Sequence, residues 1–300
     1  MPSLDTHYPK LKFIIFKCEI TMSRFSGLYK KIKHATVWRI KAQSIFVLAY
    51  IQRCRFDWLI RPKAMTVESL DGPALVFAPH QDDETLGCGG LIALKRQQQV
   101  PVNVAFLTDG SACYDSIALP GVTVMAAADV IEMRKHEATE ALGLLGVDAQ
   151  SIHFLDQPDQ FLDHQALEHD ALINRLVDLL NDVAPQDIYV TYRYDVHGDH
   201  QTTYRLVHEA IVRSGREVRL WEYPIWSFWS HKHLSGLVYN HRSDLYRLPI
   251  QTVLAQKQTA LKCYRSQFQT LPGTTSPVLS TDFMTYLSSS TSEVFVMTQF

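Results

Sequence analysis

A Rossmann-like α/β fold, with a mostly parallel sheet and helices on both faces, is predicted by three features of this 300-residue chain. From residue 72 onward, short apolar runs alternate with stretches of helical period, and each parallel crossover needs such a helix to return the chain. Acids and histidines gather just after the apolar runs, at the carboxyl ends of the predicted strands, where sheets of this kind bind ligands. The composition is 46% hydrophobic and 20% charged, which is ordinary for a soluble globular protein that buries its core without staples.

The elements follow in order. "PALVFAP" reads as a short buried strand and "TLGCGGLIALKRQQQ" as the helix after it. "VNVAFLTDGS" is a second strand that ends in a polar turn, followed by a helix over "VMAAADVIEMRKHEATEALGLLG" that Gly146 stops. "SIHFLD" is a third strand, and "HQALEHDALINRLVDLLNDV" is an amphipathic helix closed before Pro185. "DIYVTYR", "DHQTTYRLVHEAIVRSG" and "EVRLWEYPIW" read as strand, helix and strand. The Ser/Thr-rich "PGTTSPVLSTDFMTYLSSSTS" has weak periodicity and reads as a surface wrap, with "SEVFVMTQF" as an added edge strand. Residues 72–300 are thus expected to be the working domain, and residues 1–71 a basic, helical N-terminal extension.

Charge sets that extension apart. Residues 1–66 hold thirteen Lys/Arg against three Asp/Glu, while the whole chain is at −2. "VWRIKAQSIFVLAYIQRCRFDWLI" suits either peripheral contact with an anionic membrane surface or packing against protein. Its uncharged run is too short to span a bilayer and lacks the layout of a cleavable signal. No binding module accompanies the charge, so nucleic acid is not expected as a partner. Five dispersed cysteines without a C-x-x-C pair point to a reducing, cytoplasmic compartment rather than a disulfide framework or a thiolate zinc site. Met22 is an alternative start, and the oligomeric state is not encoded in any pattern.

The chemistry concentrates in "APHQDDETLGCGG" and "YDVHGDH". Three adjacent carboxylates repel one another unless a positive group sits among them. Histidine nitrogen with carboxylate oxygen suits Zn2+ or another divalent transition metal, and a catalytic zinc takes three protein ligands and leaves one position for water. His80, Asp83 and His200 satisfy that count. Asp82 is placed to serve as general base, His197 as a partner for a developing oxyanion or leaving amine, and Asp199 as the group that holds a histidine in its tautomer.

"APHQDDE" followed by "LGCGG", with "HGDH" further on, resembles the LmbE/PIG-L family of zinc-dependent N-acetylglucosamine deacetylases over roughly residues 72–270. The resemblance implies zinc on His80, Asp83 and His200, Asp82 as base, and His197 beside the reacting amide. It also implies that Arg134 and Glu137, an R-x-x-E on a helix, and Asp159, after Pro158, face the sugar or support the site. The family's motifs ordinarily carry proline where this chain has Gln81 and Gly198, which places loop rigidity in question but removes no ligand. The implied substrate is a small-molecule, glycan or glycolipid conjugate bearing an N-acetylated amino sugar, with an anionic or membrane-borne acceptor favoured by the basic arm.

Other readings stay open. Acid-rich strand ends also hold two-metal phosphoesterase sites, and the same fold could serve as a non-catalytic sugar-binding protein. Glu84 divides between starting the helix as a first-turn acid and supporting the site. Asp109 reads as a turn residue, and His136, His153, His164 and His169 as surface or packing residues. The aromatic "WEYPIWSFW" is core or rim packing before it is a sugar-stacking wall.

Overall fold

The computed structural model describes Cys54, Trp58, Ile60 and residues 63–160, 169–229, 231–241 and 243–299. The predicted helical arm, up to residue 53, lies outside the described residues, as does His164. Strands β1 (Met65–Thr66), β2 (Ala74–Ala78), β3 (Val102–Thr108) and β4 (Ile152–Gln157) come first, with helices α1 (Asp83–Gln97) and α2 (Ala127–Leu144) between the last three. Helix α3 (His169–Val183), β5 (Asp187–Thr191), α4 (Gly198–Ser214) and β6 (Arg219–Tyr223) follow. The chain then runs through α5 (His231–Asn240), β7 (Leu245–Pro249), α6 (Leu254–Leu261), α7 (Arg265–Phe268), α8 (Thr281–Ser288) and β8 (Ser292–Gln299).

These strands form one eight-stranded sheet in the order β1-β7-β8-β6-β5-β2-β3-β4. The block from β6 to β4 is parallel throughout, as alternation requires, and β8 alone runs antiparallel, to both β6 and β7. Strand β2 reads ALVFA with every residue buried, the near-continuous apolar run of a strand covered on both faces. Its side chains alternate between two cores. Ala74, Val76 and Ala78 join Leu91 and Ile92 of α1 and Ala138 of α2, whereas Leu75 and Phe77 join Leu176 of α3 and Val207 of α4.

Two expectations are corrected. Strand β8 is interior, not an edge, because it fills the space between β6 and β7. The Ser/Thr-rich tail is not a mere surface wrap: Ser280 caps α8 by accepting from the Phe283 N–H, and Phe283, Tyr286 and Leu287 are buried. The sheet also reaches into the stretch read as extension, since Met65–Thr66 pair with β7 and Ile60 is fully buried. Among the described residues no helix is long and apolar enough to cross a membrane.

The glycines of "LGCGG" answer a packing demand. A Cβ at Gly87 would lie 2.2 Å from the Tyr223 ring, so α1 approaches the sheet only with hydrogen there. Further along α1, Glu293 of β8 accepts from the Gly90 and Leu91 N–H groups at 2.7 and 2.8 Å. Lys257 of α6 donates to Leu86 O at 2.8 Å and to Glu293 Oε1 at 2.6 Å.

Candidate active site

The chain reverses its direction of strand addition at β2, which has β3 on one side and β5 on the other. A crevice opens at the carboxyl ends of strands at such a switch point. The turn after β2 delivers His80, Gln81, Asp82 and Asp83, the turn after β4 delivers Asp159, and the turn after β5 delivers Asp195, His197, Asp199 and His200. Helix α2 contributes Arg134 from the side.

The side chains converge. His80 Nδ1 lies 3.1 Å from Asp83 Oδ2, and its Nε2 lies 3.1 Å from Asp199 Oδ2 and 3.2 Å from Asp159 Oδ1. His200 Nδ1 lies 2.8 Å from Asp195 Oδ2, while its Nε2 stands 3.3 Å from Asp83 Oδ2 without hydrogen-bond geometry, a buried nitrogen with no hydrogen-bond partner. Donor atoms of His80, Asp83 and His200 all fall within 4.8 Å of one another, and those of His80, His197 and Asp199 do the same. The first set has the better chemistry for an ion. Each of its histidines offers one nitrogen toward Asp83 and rests the other on a carboxylate, the arrangement that fixes the tautomer of metal-ligating histidines.

Residues 75–211 match the family described as PIG-L, GlcNAc-PI de-N-acetylase. That stretch is a PIG-L-family domain. Over 204 residues the chain is 29% identical to a probable N-acetyl-alpha-D-glucosaminyl L-malate deacetylase 2 of Bacillus cereus, covering 66% of this chain and 84% of the relative. It is 32% identical over 185 residues to a 1D-myo-inositol 2-acetamido-2-deoxy-alpha-D-glucopyranoside deacetylase of a Mycobacterium species, covering 55% of this chain and 56% of the relative. Among solved structures, a conserved protein of Thermus thermophilus, TT1542, aligns with a TM-score of 0.52 at 26% identity, over 75% of this chain and 94% of that one. The N,N'-diacetylchitobiose deacetylase of Pyrococcus horikoshii aligns with a TM-score of 0.55 at 19% identity, over 76% and 84%. GalB, a 4-carboxy-2-hydroxymuconate hydratase of Pseudomonas putida, gives 0.54 at 19%, over 76% and 95%, so the fold by itself does not fix the chemistry.

In the PIG-L domain, charge and burial act on each site group. Burial and the Asp83 charge push Asp82 up to about 8, against the pull of the Arg134 guanidinium 3.6 Å away. Burial works against Asp83 too, but the charges of His200 and His80 hold it well below the usual carboxylate range. Burial alone would lower His200, yet Asp83 and Asp195 bring it up to about 9. Asp159, also opposed by burial, is held at about 2 by its hydrogen bond and charge contact with His80. Asp83 is thus flanked by two histidines that its charge favours protonated, and a divalent ion bound there would replace the histidine protons.

His197 differs. Burial, and then the charges of His80 and His200, bring it down to about 4. Its Nδ1 accepts from the Asp199 N–H at 3.2 Å as the N-cap of α4, so the neutral ring carries its hydrogen on Nε2.

A pocket at this site has a volume of about 230 Å³. Its polar lining includes His80, Asp82, Asp159 and His197, and Leu86, Trp226 and Phe283 supply much of an apolar wall. Trp226 and Phe283 stack at 4.4 Å, so part of the "WEYPIWSFW" aromatic run does reach the pocket. Arg134 lines the pocket, but Glu137 does not. Its carboxylate accepts from Ser266 N–H at 2.9 Å and Ser266 Oγ at 2.6 Å, pinning α7 instead. Glu84 accepts from Thr85, Tyr264 and the Asp82 N–H, which makes it a brace for the turn. Asp109 bonds Ser111 and the Asp159 N–H, the turn role expected.

One residue was given no role from the sequence. Asp195 accepts from Ser227 N–H and Oγ at 2.6 and 2.7 Å and from Trp226 N–H at 3.1 Å while it holds His200. The tautomer-holding role assigned to Asp199 therefore divides: Asp195 serves His200, and Asp199 with Asp159 serves His80. The signal was present, since Asp195 stands in the same turn five residues before His200.

Proposed function

We propose that the PIG-L domain is a zinc-dependent hydrolase that removes the N-acetyl group from an N-acetylglucosamine-containing conjugate, with water in and acetate and a free amine out. The observation that carries this reading is the pairing of His80 and His200 around Asp83, each histidine backed by its own carboxylate. His80, Asp83 and His200 would hold the ion. When bound, a zinc ion supplies a Lewis acid for the acetyl carbonyl and lowers the pKa of a bound water to about 7.

The chain's own groups do the rest. Asp82, buried in the pocket wall beside Asp83, would be ionised by the charge of an ion held there; it accepts the proton of the attacking water and returns it to the leaving amine. Arg134, 3.6 Å from Asp82 Oδ1, keeps that carboxylate turned to the reaction. His197 donates its Nε2–H to the amide oxygen as negative charge gathers there, a role open to the neutral ring. Asp159 and Gln160 offer acceptors and donors for sugar hydroxyls, and the Trp226–Phe283 wall meets an apolar sugar face. A cavity of about 230 Å³ falls below the range of about 300–1,000 Å³ common for larger ligands. It suits one sugar residue with the acceptor projecting outside. The basic residues 1–66 favour an anionic acceptor, whether free or lipid-borne.

The phosphoesterase alternative needs two ions. Among the described residues both candidate ligand groups use His80, so two fully ligated ions would have to share one ring. The test measures zinc by mass spectrometry and acetate release from GlcNAc and from its malate, inositol and phosphatidylinositol conjugates, on wild type, Asp82→Asn and His200→Ala. About one zinc per chain is expected. Both variants should be inactive, with zinc lost mainly from His200→Ala. Two metals with phosphate release, or no amide hydrolysis on any conjugate, would overturn the reading.

A further inference from the structure

Gln81 stands where the resembling motif ordinarily has proline, and it is completely buried. Its Nε2 donates to Thr108 O at 2.8 Å, which ties the turn after β2 to the end of β3. Its own carbonyl accepts from Arg134 Nη2 at 2.7 Å, the same nitrogen that lies 3.6 Å from Asp82 Oδ1. Gly110, at φ 68°, completes the arrangement: Arg134 Nη1 donates to its carbonyl at 3.4 Å. A Cβ on Gly110 would lie 2.5 Å from Gln81 Oε1 and 3.0 Å from Arg134 Nε. Those two atoms, one acceptor and one donor, are both buried and both lack a hydrogen-bond partner. They converge on one point, and unpaired buried polar atoms are costly unless they meet directly or through a shared water.

We infer that Gln81 is a positioning residue for the reaction: together with Gly110 it clamps Arg134, and through Arg134 it sets the Asp82 carboxylate. Proline fixes a turn covalently through its ring. Here the turn is fixed by tertiary hydrogen bonds, and the next residue, Asp82, is held at φ 151°, a conformation L-residues rarely adopt unless their surroundings impose it. Only Gly at 110 leaves room for the Gln81 amide and the Arg134 side chain together. The clamp touches none of the three atoms proposed to hold zinc.

This inference rests on the proposed roles of Asp82 and Arg134, and its test separates the two. Gln81→Met keeps the volume and removes the amide. The expected result is a fall in kcat of about tenfold with KM within about twofold and zinc content unchanged. The loss should vanish in an Arg134→Met background, because a residue that acts through Arg134 is not additive with it. Gly110→Ala, which crowds the same point from the other side, should lower kcat in the same way and serves if Gln81→Met does not fold. Independently of activity, the 15N–1H signal of Arg134 Nε should shift in Gln81→Met, assigned by its loss in Arg134→Lys. Wild-type kcat in both variants, additive losses with Arg134→Met, or an unmoved Arg134 signal would each overturn the clamp. A wild-type protein that hydrolyses no amide would instead remove the proposed function, and the Arg134 signal would still report on the clamp.

Discussion

Lys257 Nζ and Glu293 Oε1 lie 2.6 Å apart in the interior, and the pair is inserted against helix α1 at one specific place. Glu293 takes the N–H of Gly90 and Lys257 the carbonyl of Leu86, the two groups that face each other across one helical turn. The pair therefore joins α6, β8 and α1, the helix whose first turn carries Asp83 and Glu84.

Removing one member leaves a buried, uncompensated charge. Lys257→Met should cost about 3–5 kcal/mol of unfolding free energy, whereas a double change of both residues to apolar ones should cost much less. Urea denaturation at neutral pH reads both, and an unmoved midpoint in Lys257→Met would show that the pair contributes little.

Two glycines in helices should respond in opposite directions. Gly87→Ala pushes a methyl into the Tyr223 ring and should destabilise by about 1–3 kcal/mol. Gly143→Ala, in exposed helical backbone with nothing within 4 Å, should stabilise by about 0.5–1 kcal/mol. Thermal melts of the two variants side by side check the contrast.

Asp195→Asn should weaken zinc binding by about 10–100-fold, since His200 loses the carboxylate that orients it. Asp82→Asn should bind zinc as wild type does and yet release no acetate. Zinc competition against a coloured chelator distinguishes them. Equal affinity in wild type and Asp195→Asn would assign Asp195 a purely structural role.

His153 sets a pH dependence away from the site. Burial lowers its pKa below the ordinary value of 6.5, and its Nε2 pairs with Asn103 Oδ1 at 3.1 Å. The unfolded chain therefore binds the proton more readily than the folded one. The contribution to stability is complete above about 6.5 and is lost as pH falls through that value toward the folded pKa. His153→Gln should flatten this part of the stability profile, measured by urea midpoints at about pH 7.5 and 5.5. An unchanged slope would assign the acid sensitivity to other groups.

The strands that deliver the site were legible because parallel strands bury both faces and announce themselves as apolar runs. "ALVFA" and "DIYVT" are such runs, and the polar residues just beyond them had to fall on one rim once the sheet was parallel. Arg134 and Glu137 were legible only through the family resemblance, which left open which of them faces the sugar and which supports the site. An R-x-x-E on a helix does not say which residue turns to the pocket; Ser266, 129 positions away, decides it. Asp199 alone was given the tautomer-holding role, and only the path of the turn after β5 assigns Asp195 to His200 and Asp199 to His80. Strand β8 was misjudged although "VFVM" carries four consecutive apolar residues, a run that an edge strand with one wet face has no reason to keep. Gln81 was noticed only as a departure, since its partners come from β3 and α2 and no local pattern names them.

The placement of β8 bears on the order in which a ribosome delivers this molecule. His80 through Asp83 leave the exit tunnel about 200 residues before Glu293 does, given the 203-residue separation between Gly90 and its carboxylate partner. The parallel block from β6 to β4 can dock its helices during synthesis, but the Gly90 and Leu91 amides lack Glu293, and β6 and β7 lack their shared neighbour, until β8 arrives between them. Nascent chains thus carry every residue proposed to hold zinc while the helix behind those residues is still unfastened. The sheet closes only once β8 has been made, and a ribosome that stalls short of it leaves an open sheet beside a half-built site.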